Sequence, residues 1–283
     1  MTKRPFYYTC LSLLISLNVY SQNFVFQESI GDFRNASSFY ITSAGNFYVT
    51  DNNSDEVIKI DTLGNLLEDT GGYGWTESTF DNPSDVFATP LNVYVSDKNN
   101  HRIQRFDKNL NFISELNKRN SSNPAERFGF PLSCTTSNQG DLYILDSENK
   151  RVIKFNLFGQ FIQNFGGFDA GAFSLQNPIK LSVSPLNLIY VLDEDRIVIF
   201  DQYGNGVNIF YLPGFINNLQ IVGNILTLNN KQDIYAASLK DSQLQLEKLT
   251  FIGNFNDVII SSLVFGNNLY VLVRNKILVF KRF

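Results

Sequence analysis

Histidine is almost absent from this sequence: His101 is the only one among 283 residues. A catalytic zinc site generally takes three protein ligands, usually with histidine among them, so one imidazole makes no such constellation. A Ser–His–Asp triad has the same single residue to draw on. Cysteine is nearly as scarce, with Cys10 and Cys134 alone. No GxxxxGK(S/T) loop and no GxGxxG occurs, which removes the common phosphate cradles. Basic residues are the minority, 23 Lys and Arg against 27 Asp and Glu. Nucleic acid is therefore not an expected partner, because contact with phosphates needs a basic footprint. No apolar run is long enough to span a bilayer.

The one compact apolar run, CLSLLISL from Cys10 to Leu17, follows Lys3 and Arg4. A positive start, a short apolar stretch, and small residues Val19 and Ser21 at −3 and −1 read as an export signal over residues 1–21. Cleavage is expected before Gln22, which leaves residues 22–283 as one exported domain, in the periplasm, on the cell surface or outside the cell. Cys10 opens the apolar stretch rather than following it, which argues against a lipid-anchored Cys. Losing Lys3 and Arg4 would take the net charge from −4 to −6, with 21 basic residues facing 27 acidic ones. Cys134 then stands alone and can form no intramolecular disulfide. Its apolar neighbourhood, PLSCTT, suits a small buried hydrophobe.

What the chain has is aromatics: 26 Phe and 13 Tyr in a sequence that is 43% hydrophobic. The hydrophobic residues come in short runs separated by Asn, Gly, Asp and Ser, the pattern of an all-β protein. Four segments repeat: YVTDNNSDEVIKID from Tyr48, YVSDKNNHRIQRFD from Tyr94, YILDSENKRVIKFN from Tyr143 and YVLDEDRIVIFD from Tyr190. Their aspartates, Asp51, Asp97, Asp146 and Asp193, are spaced by 46, 49 and 47 residues. Two weaker copies start at Ile225 and Tyr270. A period of this length marks a stacked or radial repeat architecture. Each repeat divides into four strands; in the second these are Ser84–Thr89, Val93–Ser96, Arg102–Asp107 and Phe112–Leu116. Apolar neighbours such as IVIF break strict alternation, as expected of small sheets covered on both faces. The last repeat has room for only three strands before Phe283, while NFVFQESIGDF at the start of the expected mature chain resembles a fourth strand. The fold predicted is a six-bladed β-propeller of four-stranded antiparallel blades, its ring closed by the N-terminal strand completing the last blade and leaving no open edge. A monomer is expected.

The stretch DKNNHRIQRFD, from Asp97 to Asp107, resembles the signature of NHL repeats, and DSENKRVIKFN resembles it with Lys150 in place of the histidine. Pro83, Pro131 and Pro178 stand where that family opens a blade. The resemblance implies the propeller fold and leaves function open, because such propellers include scaffolds, RNA binders and enzymes. Amidating-lyase-like members rely on several metal-binding histidines, which this chain lacks. The repeated aspartates are expected to accept hydrogen bonds from the b–c turns. Arg102, Arg151 and Arg196 are expected to pair with carboxylates of neighbouring blades. His101 reads as a turn residue.

Gluconolactonase-like propellers, which the architecture resembles, hold a divalent cation in the channel with Glu, Asn and Asp oxygens, so lack of histidine does not exclude them. The channel positions here are expected to be Ser37, Asp85, Ser133, Lys180, Asn217 or Asn218, and Ser261 or Ser262. Asp85 and Asn217 would be the ligands on that alternative, a thin oxygen cage beside a repelling Lys180. The preferred reading has no metal, no cofactor and no catalytic residue: a binding or scaffold module for a protein, peptide or glycan. The long d–a connections, Thr70–Asn82, Asn117–Phe130 and Gly166–Asn177, are the candidate surface, since long unstructured loops tend to be functional. The first holds GGYGWTESTF with the only tryptophan. Tyr73, Trp75 and Asp85 are the candidate ligand-binding residues. For Trp75 packing between blades stays equally open, because Trp is highly buried on average.

Overall fold

The computed structural model describes residues 23–212, 214–240, 244–253 and 256–283; the expected signal and its cleavage site lie outside them. Six sheets, each with four antiparallel strands, form a ring. The strands of each sheet are called a to d from the axis outward. Blade 1 is Ala36–Ile41, Phe47–Asp51, Glu56–Ile60 and Leu66–Gly71. Blade 2 is Pro83–Ala88, Asn92–Asp97, Arg102–Asp107 and Phe112–Asn117, within a residue of the sequence expectation. Blade 3 is Pro131–Thr136, Leu142–Asp146, Arg151–Phe155 and Phe161–Phe165. Blade 4 is Pro178–Val183, Ile189–Asp193, Arg196–Phe200 and Gly206–Tyr211. Blade 5 is Asn218–Val222, Ile225–Asn229, Ile234–Ser238 and a two-residue outer strand, Glu247–Lys248.

Blade 6 takes strands a to c from Ser261–Phe265, Asn268–Leu272 and Ile277–Arg282, and strand d from Asn23–Ile30. The N-terminal strand pairs antiparallel with Ile277–Arg282, with a bulge between Phe26 and Glu28. Phe24 is wholly buried there, beside Ile234 and Phe280. A fifth strand, Thr250–Ile252, lies parallel on its outer side and was not foreseen. It covers the edge that the closing strand would otherwise present. Among the described residues no helix is long and apolar enough to cross a membrane.

Burial explains why the sequence alternates poorly. Strand b is buried at every position in blades 1, 3 and 4. Each core lies between blades: Tyr48 and Val57 of blade 1 pack with Phe80, Val86 and Phe106 of blade 2. Where the ring closes, the Phe47 ring of blade 1 meets Tyr270 of blade 6 at 4.9 Å, edge to face. Cys134 is buried and free, and burial pushes its thiol up to about 12, so it stays a neutral packing group.

The turns obey a repeated local chemistry. At the c–d turns the carboxylate of Asp61 accepts the N–H groups of Leu63 and Asn65, and Asp107, Asn156 and Asp201 do the same in blades 2 to 4. These bonds, with the Asn65 and Asn111 side chains first, hold the Asp61 and Asp107 carboxyls below the usual range. At the b–c turns Asp55, His101 and Lys150 all have positive φ, between 50° and 54°. The signature position of the repeat is thus a left-handed backbone position before strand c.

The repeated aspartates do the job expected of them only in part, and they do a second one. Of the four, Asp51 alone accepts a backbone N–H of its own b–c turn, that of Asn53, while Asp97 and Asp146 accept the side-chain amides of Asn100 and Asn149 in theirs. All four reach to the d–a connection in front of their blade: Asp51 accepts from Arg34 and Asn35, Asp97 from Asp81, Asp146 from Gly129, and Asp193 from Gln176 and Asn177. The arginines also differ from expectation. Arg102, Arg151 and Arg196 pair with Asp97, Asp146 and Asp193 of their own blades, not with neighbouring ones. The partner is local because strands b and c are adjacent, so Asp97 lies opposite Arg102 in the ladder.

Candidate functional site

The d–a connection between blades 1 and 2 carries the sequence GGYGWTESTF. Its backbone is held from below by strand c of blade 2. Arg102, 4% exposed, donates to the carbonyls of Trp75 (3.0 Å), Thr76 (2.8 Å) and Thr79 (2.9 Å), while its Nε meets Asp97 at 2.8 Å. Gln104 donates to the Thr79 carbonyl at 2.7 Å and accepts the Ser78 N–H at 3.0 Å. Asn100 donates to the Gly74 carbonyl at 2.8 Å. Within the loop, Gly74 N–H meets the Phe80 carbonyl, and the Phe80 ring is buried as an anchor. The loop is therefore fixed at nearly every peptide, yet its two large side chains face solvent: Tyr73 is 71% and Trp75 74% exposed. The packing alternative for Trp75 is thereby ruled out.

The same device recurs around the ring. Arg151 donates to the Arg127 carbonyl and Arg196 to the Ser174 carbonyl, each in the d–a connection before its blade. Further apolar side chains stand out on these connections, Phe168 fully exposed and Phe215 65%. The loop-anchoring role of the arginines was not read from the sequence. The signal was there: a charged and an amide residue, Arg102 and Gln104, in a strand whose third position is apolar in blades 1, 3 and 4.

Asp85 belongs to a different place. It is 2% exposed, inside the channel, and its carboxylate accepts from Ser38 (2.7 Å) of blade 1 and Ser133 (2.6 Å) of blade 3. Lys180 of blade 4 completes an ion pair with it and also comes within 3.4 Å of the Ser38 hydroxyl. Gln220 of blade 5 donates to the Phe39 carbonyl at 2.6 Å and to Ser261 of blade 6 at 3.1 Å. One polar side chain per blade thus closes the channel with its own hydrogen bonds. The inward-facing residue of blade 1 is Ser38, not Ser37, whose hydroxyl is turned to blade 2 at the Pro83 carbonyl. Lys180 does not face an empty site; it neutralises Asp85. Asn217 contributes nothing to this group, and its buried Oδ1 has no hydrogen-bond partner. Among the described residues no group of three or more His, Cys, Asp or Glu is placed to hold a metal ion. The carboxylate named on the cation alternative is thus already filled by three donors.

His101 sits at the b–c turn of blade 2 with its Nδ1 accepting the Phe130 N–H at 3.0 Å and its ring edge to face with Phe130 at 4.3 Å. Burial, and then the Arg119 charge, holds its imidazole below the usual histidine range. The histidine fastens the connection between blades 2 and 3.

No family model matches the chain. Two curated proteins are similar to part of it: Protein brain tumor of Drosophila melanogaster, 34% identical over 148 residues, and the B-box type zinc finger protein ncl-1 of Caenorhabditis elegans, 32% over 139 residues. Each match takes in about half of this chain, while the chain spans only 13% and 16% of those proteins. Both are NHL-repeat proteins, in keeping with the signature at Asp97–Asp107. Among solved structures the fold is similar to a virginiamycin B lyase from Staphylococcus aureus crystallised with quinupristin, at TM-score 0.60, 15% identity and 87% of this chain against 80% of that one. U3-55K aligns at TM-score 0.68 and 9% identity, over 90% of this chain and 98% of that one. At such identities the likeness is one of fold.

Proposed function

We propose that the protein is an exported, non-catalytic binding module that recognises a protein partner through the d–a loop face, with Tyr73 and Trp75 as the main contacts. The observation that carries this is the fixed loop with exposed rings. Rigid aromatics give large contact area at low entropy cost and dominate interaction hot spots. A loop whose backbone is already held by Arg102, Gln104 and Asn100 loses little further freedom on docking. Phe168 and Phe215 on later connections extend the same face. The similarity to NHL-repeat proteins fits a scaffold of this type. Asp85, the third residue of the sequence reading, is not a contact in this proposal, because its carboxylate is spent inside the channel.

The test is to fix the protein as bait, identify what binds from the extracytoplasmic fraction, and titrate the purified partner with wild type, Trp75→Ala and Arg102→Lys. Arg102→Lys keeps the charge and gives up the fork that holds three carbonyls. Both variants are expected to weaken binding, the second by loosening a loop it does not itself present. Equal affinity of all three proteins for the partner would reject this face. A stoichiometric divalent cation in the purified protein, with lactone hydrolysis, would favour the metal-dependent lactonase alternative.

A further inference from the structure

A cavity of the propeller lies on the opposite face, where strands a end and the a–b turns begin. It has a volume of about 620 Å³ and is lined from blades 1, 2, 3, 5 and 6, by Tyr40, Ser43, Phe87, Thr136, Val222 and Phe265 among others. Its position along the channel follows from the strands. Tyr40 and Phe87 each stand two residues beyond Ser38 and Asp85, so they form the next inward layer after the closing ring. The Lys180–Asp85 pair and its hydrogen-bonded neighbours occupy the layer behind it in the channel.

Three features of the lining point to one class of ligand. First, no Asp, Glu, Lys, Arg or His side chain is in it. The one titratable group, the Tyr40 phenol, is pushed up to about 12 by burial and stays neutral. A charged ligand would lose its hydration there without gaining a counter-charge. Second, the Tyr40 and Phe87 rings meet at 4.8 Å in a tilted, half-buried pair, and both line the cavity together with Phe265 of blade 6. Third, the hydroxyls of Tyr40, Ser43 and Thr136 make no hydrogen bond to any described residue, whereas those of Thr42 and Thr89 are used in their own turns. Each free hydroxyl can donate and accept. Ring faces beside unspent hydroxyls, with no charge, match the two sides of a sugar: C–H faces for the rings, and O–H groups for the hydroxyls.

We infer that this cavity is a binding site for an uncharged sugar ring, separate from the loop face that carries Tyr73 and Trp75. The polar ring fills the next layer of the channel, so the site takes one terminal residue or a monosaccharide rather than a chain threaded through the propeller.

The full-length protein, freed of any signal, is titrated by calorimetry and saturation-transfer NMR with methyl glycosides of glucose, galactose and N-acetylglucosamine. Glucuronate and glucosamine serve as charged counterparts. At least one neutral glycoside is expected to bind, with its charged counterpart weaker by about tenfold or more. Tyr40→Phe keeps the ring and removes one free hydroxyl, and is expected to weaken that glycoside by up to about tenfold. Ser43→Trp, on an exposed turn, fills the mouth and is expected to abolish binding with an unchanged melting temperature. Trp75→Ala is expected to leave sugar binding intact, which separates this site from the loop face. No saturation transfer to any neutral glycoside, equal binding of charged and neutral sugars, or binding that survives Ser43→Trp would each overturn the inference.

Discussion

Lys180 and Asp85 meet across the central channel, the lysine from blade 4 and the aspartate from blade 2, while Ser133 of the blade between them donates to the same carboxylate. The pair joins strands that are 95 residues apart in the chain. Both side chains are nearly buried, at 10% and 2% exposure. Breaking one side of a buried pair leaves an uncompensated charge, at a cost of about 3–5 kcal/mol. Lys180→Met is therefore expected to lower the melting temperature strongly. The double variant Asp85→Asn, Lys180→Met removes both charges and is expected to recover most of the loss, since buried pairs are often replaceable by neutral groups. Thermal melts of both single variants and of the double variant check this; a double loss equal to the sum of the two single losses would show that the pair has no coupling.

Trp75 supplies the optical readout for the loop face. As the sole tryptophan, and a highly exposed one, it should emit at long wavelength and be quenched by acrylamide. Trp75→Ala is expected to leave melting almost unchanged and to weaken partner binding by about 2 kcal/mol or more, the separation seen at hot spots. A blue-shifted native emission with a lowered melting temperature in the variant would place the ring in a packed environment and reject the site.

Arg102→Lys is expected to alter the loop without unfolding the blade. The lysine retains charge toward Asp97 but has no second donor group for the Thr76 and Thr79 carbonyls. Hydrogen exchange at residues 74–80 should rise while strand b of blade 2 keeps its protection. Unchanged exchange in the loop would mean that Gln104 and Asn100 suffice to hold it.

His101 gives a pH dependence with a defined sign. Its Nδ1 accepts a hydrogen bond, and burial depresses its basicity in the folded state. The folded protein then binds fewer protons than the unfolded chain, so stability rises with pH. The contribution is complete above the ordinary histidine value of about 6.5 and is lost as pH falls through that value toward the folded one. His101→Ala is expected to cost about 1 kcal/mol at pH 7.5 and to show a shallower fall in melting temperature between pH 7.5 and 5. A variant with the wild-type slope would remove His101 from the pH response.

Closure by the N-terminal strand is tested at Phe24, which is fully buried in the last blade although it is separated from Phe280 by almost the whole chain. Phe24→Ala is expected to cost about 3–5 kcal/mol, as for other buried aromatics. Deleting Asn23–Gly31 exposes the edge of Ile277–Arg282 and is expected to unfold or oligomerise the protein, read by light scattering and melting. A truncated monomer with unchanged melting would contradict a closing role for the strand.

The architecture was legible because a repeat announces itself locally. The spacing of Asp51, Asp97, Asp146 and Asp193, the turn residues, and the surplus strand at the start required no knowledge of contacts. Strand limits in blade 2 and the closure of blade 6 followed from the same pattern. Side-chain partnership was not legible, since it depends on which strands face one another. The sequence places Arg102 five residues after Asp97, but only the ladder shows that the two pair and that the guanidinium continues into the preceding loop. Lys180 looked like a charge that would repel a cation; the ring geometry turns it toward a carboxylate two blades away. For Trp75 the sequence left burial and exposure equal, because a loop tryptophan can fold inward or outward. The loop backbone settles that point: hydrogen bonds to Arg102, Gln104 and Asn100 fix the peptides from within and leave the ring the outer side. The repeat alone determined a propeller of six blades. Which polar residues fill its channel, and which aromatics remain outside, was decided by the radial arrangement of strands distant in sequence.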